Sequence, residues 1–211
     1  MRLGVASPDA VEMEPWSRSR LAVVGVTSLV AMAAAGYLLR TTIPPADHWL
    51  VTHAYAAPGS IPAAVATIAS GVGTLAAIVG LLVVAALTWR RRGPREGLLP
   101  LAVVPVCLSL LALQGLLNRG GPPQQPEAGT YPSGHVTVVT TAVAVTLLIG
   151  TSWRRRISAL GGTAILLVSA SRIALAEHWL LDVAGGIAGV AGVALLSYAV
   201  LHRPQPQTVR R

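Results

Sequence analysis

Six apolar runs, each near the length needed to cross a lipid bilayer, constrain this chain more than any other feature. No water inside a bilayer satisfies the backbone, so a spanning segment must satisfy its own amides, and a helix of roughly 20 apolar residues does so. The candidate spans are residues 21–39, 62–88, 98–117, 135–152, 157–174 and 182–201. Strong breakers separate them: Pro44-Pro45, Arg90-Arg91-Arg92-Gly93-Pro94, the stretch from Gly120 to Pro123, and Arg154-Arg155-Arg156. Only 11% of the 211 residues are charged, less than half the share usual in soluble domains, and 53% are hydrophobic. The expected fold is all-α: one integral-membrane bundle of six transmembrane helices over 21–202, flanked by cytoplasmic tails at 1–20 and 203–211. Span one resembles the core of a signal peptide in position, but its length favours an anchor.

The orientation follows from arginine, which supplies all sixteen basic residues. With the N-terminus inside, the cytoplasmic segments carry Arg2, Arg18, Arg20, Arg90, Arg91, Arg92, Arg95, Arg154, Arg155, Arg156, Arg203, Arg210 and Arg211. The outer segments keep only Arg40, Arg119 and Arg172, so both termini are expected in the cytoplasm. Tryptophans agree: Trp16, Trp89 and Trp153 fall at inner span ends and Trp49 and Trp179 at outer ones, as aromatic belts do. The net charge of +8 is dispersed in short clusters between apolar runs, which suits anionic headgroups and argues against nucleic acid. The single cysteine, Cys107, lies in an apolar run and reads as a small buried hydrophobe.

Two clusters then fall on one face of the membrane, the outer one. The first is Pro132-Ser133-Gly134-His135, opening a span; the second is Ser171-Arg172 at a span end, followed by His178 and Asp182. Ionisable groups at such positions are costly and tend to mark function. His178 and Asp182 are four residues apart, which on a helix puts them on one face and lets the carboxylate fix the imidazole tautomer. An imidazole held that way is a nucleophile. Arg172 has the planar fork that clamps two phosphate oxygens. Ser133 and Gly134 at a helix start present backbone N–H groups to an anion, and His135 is placed to protonate a leaving alkoxide. Each residue alone has a plain structural reading: a cap for Ser133-Gly134, a headgroup contact for Arg172, a hydrogen-bonded interfacial residue for either histidine. Their convergence on one face favours a phosphate site.

The pattern PSGH, followed by S-R-x5-H-x3-D, resembles the second and third signatures of the type 2 phosphatidic acid phosphatase superfamily, which also includes vanadium haloperoxidases. The resemblance implies that His178 attacks phosphorus to form a phosphohistidine, that Asp182 orients it, and that His135 protonates the leaving group. It implies that Arg172, Ser133 and the Gly134 N–H hold the phosphate oxygens, with no metal or other cofactor. The chain departs from the first signature, K-x6-R-P, over 114–122. In one phasing Gln114 replaces the lysine; in the other Arg119 is the motif arginine and remains able to reach the phosphate. Gln114 and Ser171 are therefore secondary candidates.

The expected function is a membrane lipid phosphatase acting on a phosphomonoester or diphosphate, such as a polyprenyl diphosphate, phosphatidic acid or phosphatidylglycerol phosphate. Its partners are the lipid phosphate and membrane lipids; its location is the inner or plasma membrane, with the site facing outward. Three alternatives stand beside it: a degenerate phospholipid binder, an intramembrane serine hydrolase using Ser133 with His178, and a metal enzyme using His135, His178 and Asp182. Glu177, beside His178, reads either as a tuner of its basicity or as an exposed cap. The outer loop 40–61, with His48, Trp49, His53 and Tyr55, reads as an interfacial connector, and the glycines from Gly185 to Gly192 as a close-packing face.

Overall fold

A computed structural model describes residues 17–127, 129–150 and 152–201. The tail ends, including Trp16 and the terminal arginines Arg2, Arg203, Arg210 and Arg211, lie outside the described residues. The described chain is helical throughout, as expected: α1 (Arg18–Leu39), α2 (Pro45–Ala54), α3 (Ile61–Arg92), α4 (Pro94–Leu98), a 3₁₀ turn (Leu99–Ala102), α5 (Val103–Ser109), α6 (Ala112–Leu117), α7 (Gly134–Ile149), α8 (Arg154–Ala174) and α9 (Leu180–Leu201). Five segments are long and apolar enough to cross a membrane: α1, α3, the run Pro94–Leu117, α8 and α9. The sixth apolar helix, α7, has only 16 residues and spans about 24 Å at the α-helical rise.

The third expected span is not one smooth helix. Pro100 and Pro105 each lack the N–H that an α-helix interior needs, and the run breaks into α4, the 3₁₀ turn, α5 and α6. The end of α6 is set by Asn118, which takes the left-handed conformation (φ 47°) and caps the helix by donating its N–H to the Gln114 carbonyl, 3.0 Å away. That turn sends the next residue, Arg119, into the bundle.

Polarity is arranged for a lipid surround. Val65, Ile68, Val72 and Leu75 of α3 and Leu160 and Leu166 of α8 are exposed. The most enclosed helix, α7, instead buries Thr137, Thr140, Thr141 and Thr146 among α3, α8 and α9. Thr137, Thr141 and Thr146 return their hydroxyls to the carbonyl four residues earlier, so these hydroxyls carry no unmet donor into the core. Where lipid is as apolar as the core, close packing replaces the hydrophobic effect as the force between helices. The glycine face of α9 supplies it. A Cβ on Gly192 would stand 2.8 Å from the Gly25 carbonyl oxygen of α1, and one on Gly185 would stand 2.5 Å from the Tyr131 ring.

Trp49, Trp89 and Trp153 are exposed near helix ends, as a belt position requires, but Trp179 is not. Its ring is fully buried and its Nε1–H donates to the Gly120 carbonyl at 2.8 Å. This corrects the belt reading for Trp179: a tryptophan at a span end can equally turn inward when a loop carbonyl receives its N–H.

Candidate active site

Three loops meet at one end of the bundle: the α1–α3 connection carrying α2, the α6–α7 loop, and the short α8–α9 turn. The two motif clusters are thereby brought together. The Ser133 N–H donates to the Asp182 carbonyl at 3.0 Å, tying the start of α7 to the start of α9. Gln114 supports the same loop from α6, its Nε2 donating to the Pro132 carbonyl at 2.8 Å. Gln114 therefore positions the loop behind Ser133. Ser171 is likewise engaged, its hydroxyl turned back to the Val168 carbonyl within α8 at 2.7 Å.

His178 does not sit on a helix. α8 ends at Ala174, Ala176 takes a positive φ of 52°, and the chain folds back so that the Glu177 and His178 N–H groups both donate to the Arg172 carbonyl. α9 begins only at Leu180, so the shared-helix-face argument for His178 and Asp182 is corrected. His178 Nδ1 lies 2.9 Å from the Thr130 carbonyl oxygen and 3.7 Å from Asp182 Oδ2. A carbonyl only accepts, so Nδ1 carries the proton and the neutral ring keeps its lone pair on Nε2. The tautomer is thus fixed chiefly by Thr130, and Asp182 serves as a nearby counter-charge.

Asp182 has other work. It is fully buried; one carboxylate oxygen takes the Trp179 N–H at 2.9 Å and the other pairs with Arg119 Nη1. Arg119 is itself buried, with all three faces of its guanidinium used. Nη2 meets Asp47 Oδ2 at 2.7 Å, Nε donates to the Leu39 carbonyl at 3.1 Å, and Nη1 goes to Asp182. This corrects the expectation that Arg119 reaches the phosphate. With two carboxylates and a carbonyl on its three nitrogens and the residue only 2% exposed, it is held inside the fold and away from an external anion. Asp47 completes the network, its Oδ1 accepting the Leu181 N–H at 3.0 Å, one of the otherwise unpaired donors at the start of α9.

Asp47 escaped the sequence reading. It follows Pro44-Pro45 in the first turn of α2, where an acidic residue looks like a local helix-end charge. The signal available was its place in an otherwise uncharged stretch of loop. Thr130 left no signal, since it acts through its backbone.

Arg172 contrasts with Arg119. Its Nη1 reaches Ser70 Oγ of α3 at 3.4 Å and its Nη2 pairs with Glu177, while its Nε is buried without a partner. The Ser133 hydroxyl is also buried without a partner and does not cap α7, nor is it bonded to His178. His135, one turn position inside α7, is exposed at the mouth and lies within electrostatic reach of both Arg172 and His178. Two enclosed donors without acceptors, a helix N-terminus and an imidazole lone pair are the kinds of group that a tetrahedral oxyanion would require. Tyr131 braces the loop: its hydroxyl donates to the Met32 carbonyl at 2.6 Å, and burial, with Asp182 nearby, pushes its pKa up to about 12, so it remains a donor. Among the described residues no three His, Cys, Asp or Glu side chains converge as a metal site.

Comparison with known proteins agrees with the motif reading. The family model of the PAP2 superfamily matches residues 116–205, the segment that holds both clusters. The crystal structure of the first transmembrane PAP2 type phosphatidylglycerolphosphate phosphatase from Bacillus subtilis is similar in fold, with a TM-score of 0.65 and 20% sequence identity. The match covers 83% of this chain and 94% of that one. No curated protein matches the chain.

Proposed function

We propose that this chain, whose residues 116–205 match the family model of the PAP2 superfamily, is a membrane lipid phosphatase working through a phosphohistidine. The observation that carries the reading is the pairing of the His178 Nε2 lone pair, fixed by the Nδ1 contact to Thr130, with the unpartnered donors on Ser133 and Arg172. Nε2 attacks phosphorus as the bond to the lipid oxygen breaks. His135 gives that oxygen a proton, and Ser133, Arg172 and the Gly134 N–H take the charge growing on the other oxygens. Water, deprotonated by His135, then cleaves the phosphohistidine, releasing phosphate and restoring His178. The side-chain donors supply the positive field, so the scheme uses no metal.

In the membrane, six spans with both termini cytoplasmic put the site at the extracytoplasmic face, in keeping with the arginine bias. α7 is shorter than a hydrocarbon core of about 30 Å, so its N-terminus lies slightly below the surface, where a headgroup can descend without its chains leaving the bilayer. Phosphatidic acid, phosphatidylglycerol phosphate and polyprenyl diphosphates all present such a phosphate. The similar Bacillus subtilis protein is named for the second of these.

Phosphate release from a panel of these lipids by the purified protein tests the reading, with His178→Ala alongside. Release that needs His178, survives chelator and is blocked by vanadate supports it. Release unchanged in His178→Ala overturns it, and lipid binding without release indicates the degenerate alternative.

A further inference from the structure

Glu177 is an acidic side chain beside the site that the mechanism does not use. It pairs with Nη2 of Arg172, the guanidinium that is to hold the phosphate. We propose that Glu177 is an internal anion that competes with phosphate for Arg172, keeping the empty site from being saturated by product phosphate or by headgroups of the bilayer. This rests on the phosphatase reading and adds a residue that sets how tightly the same site holds its ligands.

The geometry supports a displaceable contact. The backbone of Glu177 is pinned by its N–H to the Arg172 carbonyl at 3.1 Å, so exchange requires movement of the side chain alone. The carboxylate engages Nη2, while Nε on the same edge of the fork stays buried and unbonded. A tetrahedral phosphate can take Nε and Nη2 together, adding a hydrogen bond that Glu177 leaves unmade. The displaced carboxylate also has somewhere to go. Glu177 borders a cavity of about 420 Å³ whose other walls include Ser60, Thr67, Gln124 and Gln125. Polar walls of that kind accept a hydrated carboxylate, and the Glu177 side chain is already 25% exposed against 13% for Arg172.

The competition has a defined consequence. Breaking the Arg172–Glu177 pair costs the same whichever anion enters, so every anion binds more weakly than it would to a free Arg172. A phosphomonoester carries nearly two negative charges at neutral pH, and a phosphodiester one. The doubly charged ligand overcomes the penalty, whereas the abundant singly charged headgroups do not fill the site. Product phosphate, no longer tethered to a lipid, is released rather than retained.

The test is calorimetric binding of inorganic phosphate to the detergent-solubilised full-length protein, comparing wild type with Glu177→Gln and Glu177→Ala. Both variants are expected to bind phosphate about tenfold more tightly, the scale of one freed charge-assisted contact. In turnover, KM for a monoester lipid falls and inhibition by phosphate strengthens, while kcat does not rise. A merely structural Glu177 would lower stability and kcat without tightening anion binding. Unchanged or weaker phosphate binding in a folded variant overturns the proposal, and the Ala variant decides if the Gln variant does not fold. Binding needs no turnover, so tighter phosphate binding in a protein that cleaves no lipid would count against the phosphatase reading while keeping Glu177 as the competitor of anions for Arg172.

Discussion

Two arginines at one end of the bundle, Arg119 in a loop and Arg172 in the last turn of α8, have opposite fates, and the contrast separates what builds the site from what it is proposed to do. Arg119 is 2% exposed and has each of its three nitrogens engaged, by two buried carboxylates and a carbonyl. Arg172 is half-buried, holds one carboxylate and keeps a buried Nε without a partner. The same guanidinium is structural where its fork is filled by the fold, and under the proposed function it binds phosphate where part of it stays open. Burial alone does not distinguish the two arginines; the open donor on Arg172 does.

The largest effect that probes this contrast falls on Arg119. Arg119→Gln leaves Asp47 and Asp182 buried without their cation and is expected to cost about 3–5 kcal/mol of stability, seen as a lowered Tm in detergent. A variant with wild-type Tm but lost phosphate affinity would reverse the assignment of the two arginines. Arg172→Gln is expected to do the opposite, lowering kcat/KM about 10²–10³-fold with Tm nearly unchanged, measured by phosphate release alongside unfolding. Asp47→Asn comes next: it weakens the Arg119 pair and the contact to the start of α9, for about 1–3 kcal/mol in thermal unfolding. Its activity falls only as far as the loop loosens, so restored activity at low temperature separates it from Arg172. Ser133→Ala is the smallest change, about tenfold in kcat/KM, because it removes a single hydroxyl donor that caps nothing in the resting fold. A loss of stability there would show that the hydroxyl is part of the scaffold.

How much of this is legible in the sequence differs residue by residue. The apolar runs mark helices well, because period and length are local properties, although α7 is shorter than a full span and 94–117 is broken by its prolines. The pairing of the PSGH and S-R-x5-H-x3-D clusters was legible because their chemistry is complementary. The role of Arg119 was not: its partners, Leu39, Asp47 and Asp182, lie as far as 80 residues away, and nothing in its neighbourhood says whether its fork is filled. The partner of His178 was hidden for another reason. A backbone carbonyl such as that of Thr130 has no residue signature, while Asp182, at the attractive four-residue spacing, offered one. Trp179 misled similarly, since a span-end tryptophan suits both a headgroup belt and a loop carbonyl.

The central claim is that Nε2 of His178 takes the phosphoryl group. The direct measurement is mass spectrometry of the protein quenched in alkali during turnover of a lipid phosphate, since phosphohistidine survives base and not acid. The account predicts one phosphoryl group on the peptide carrying His178, absent from His178→Ala. Steady turnover with no adduct there, or an adduct on Ser133 or His135 instead, would contradict it.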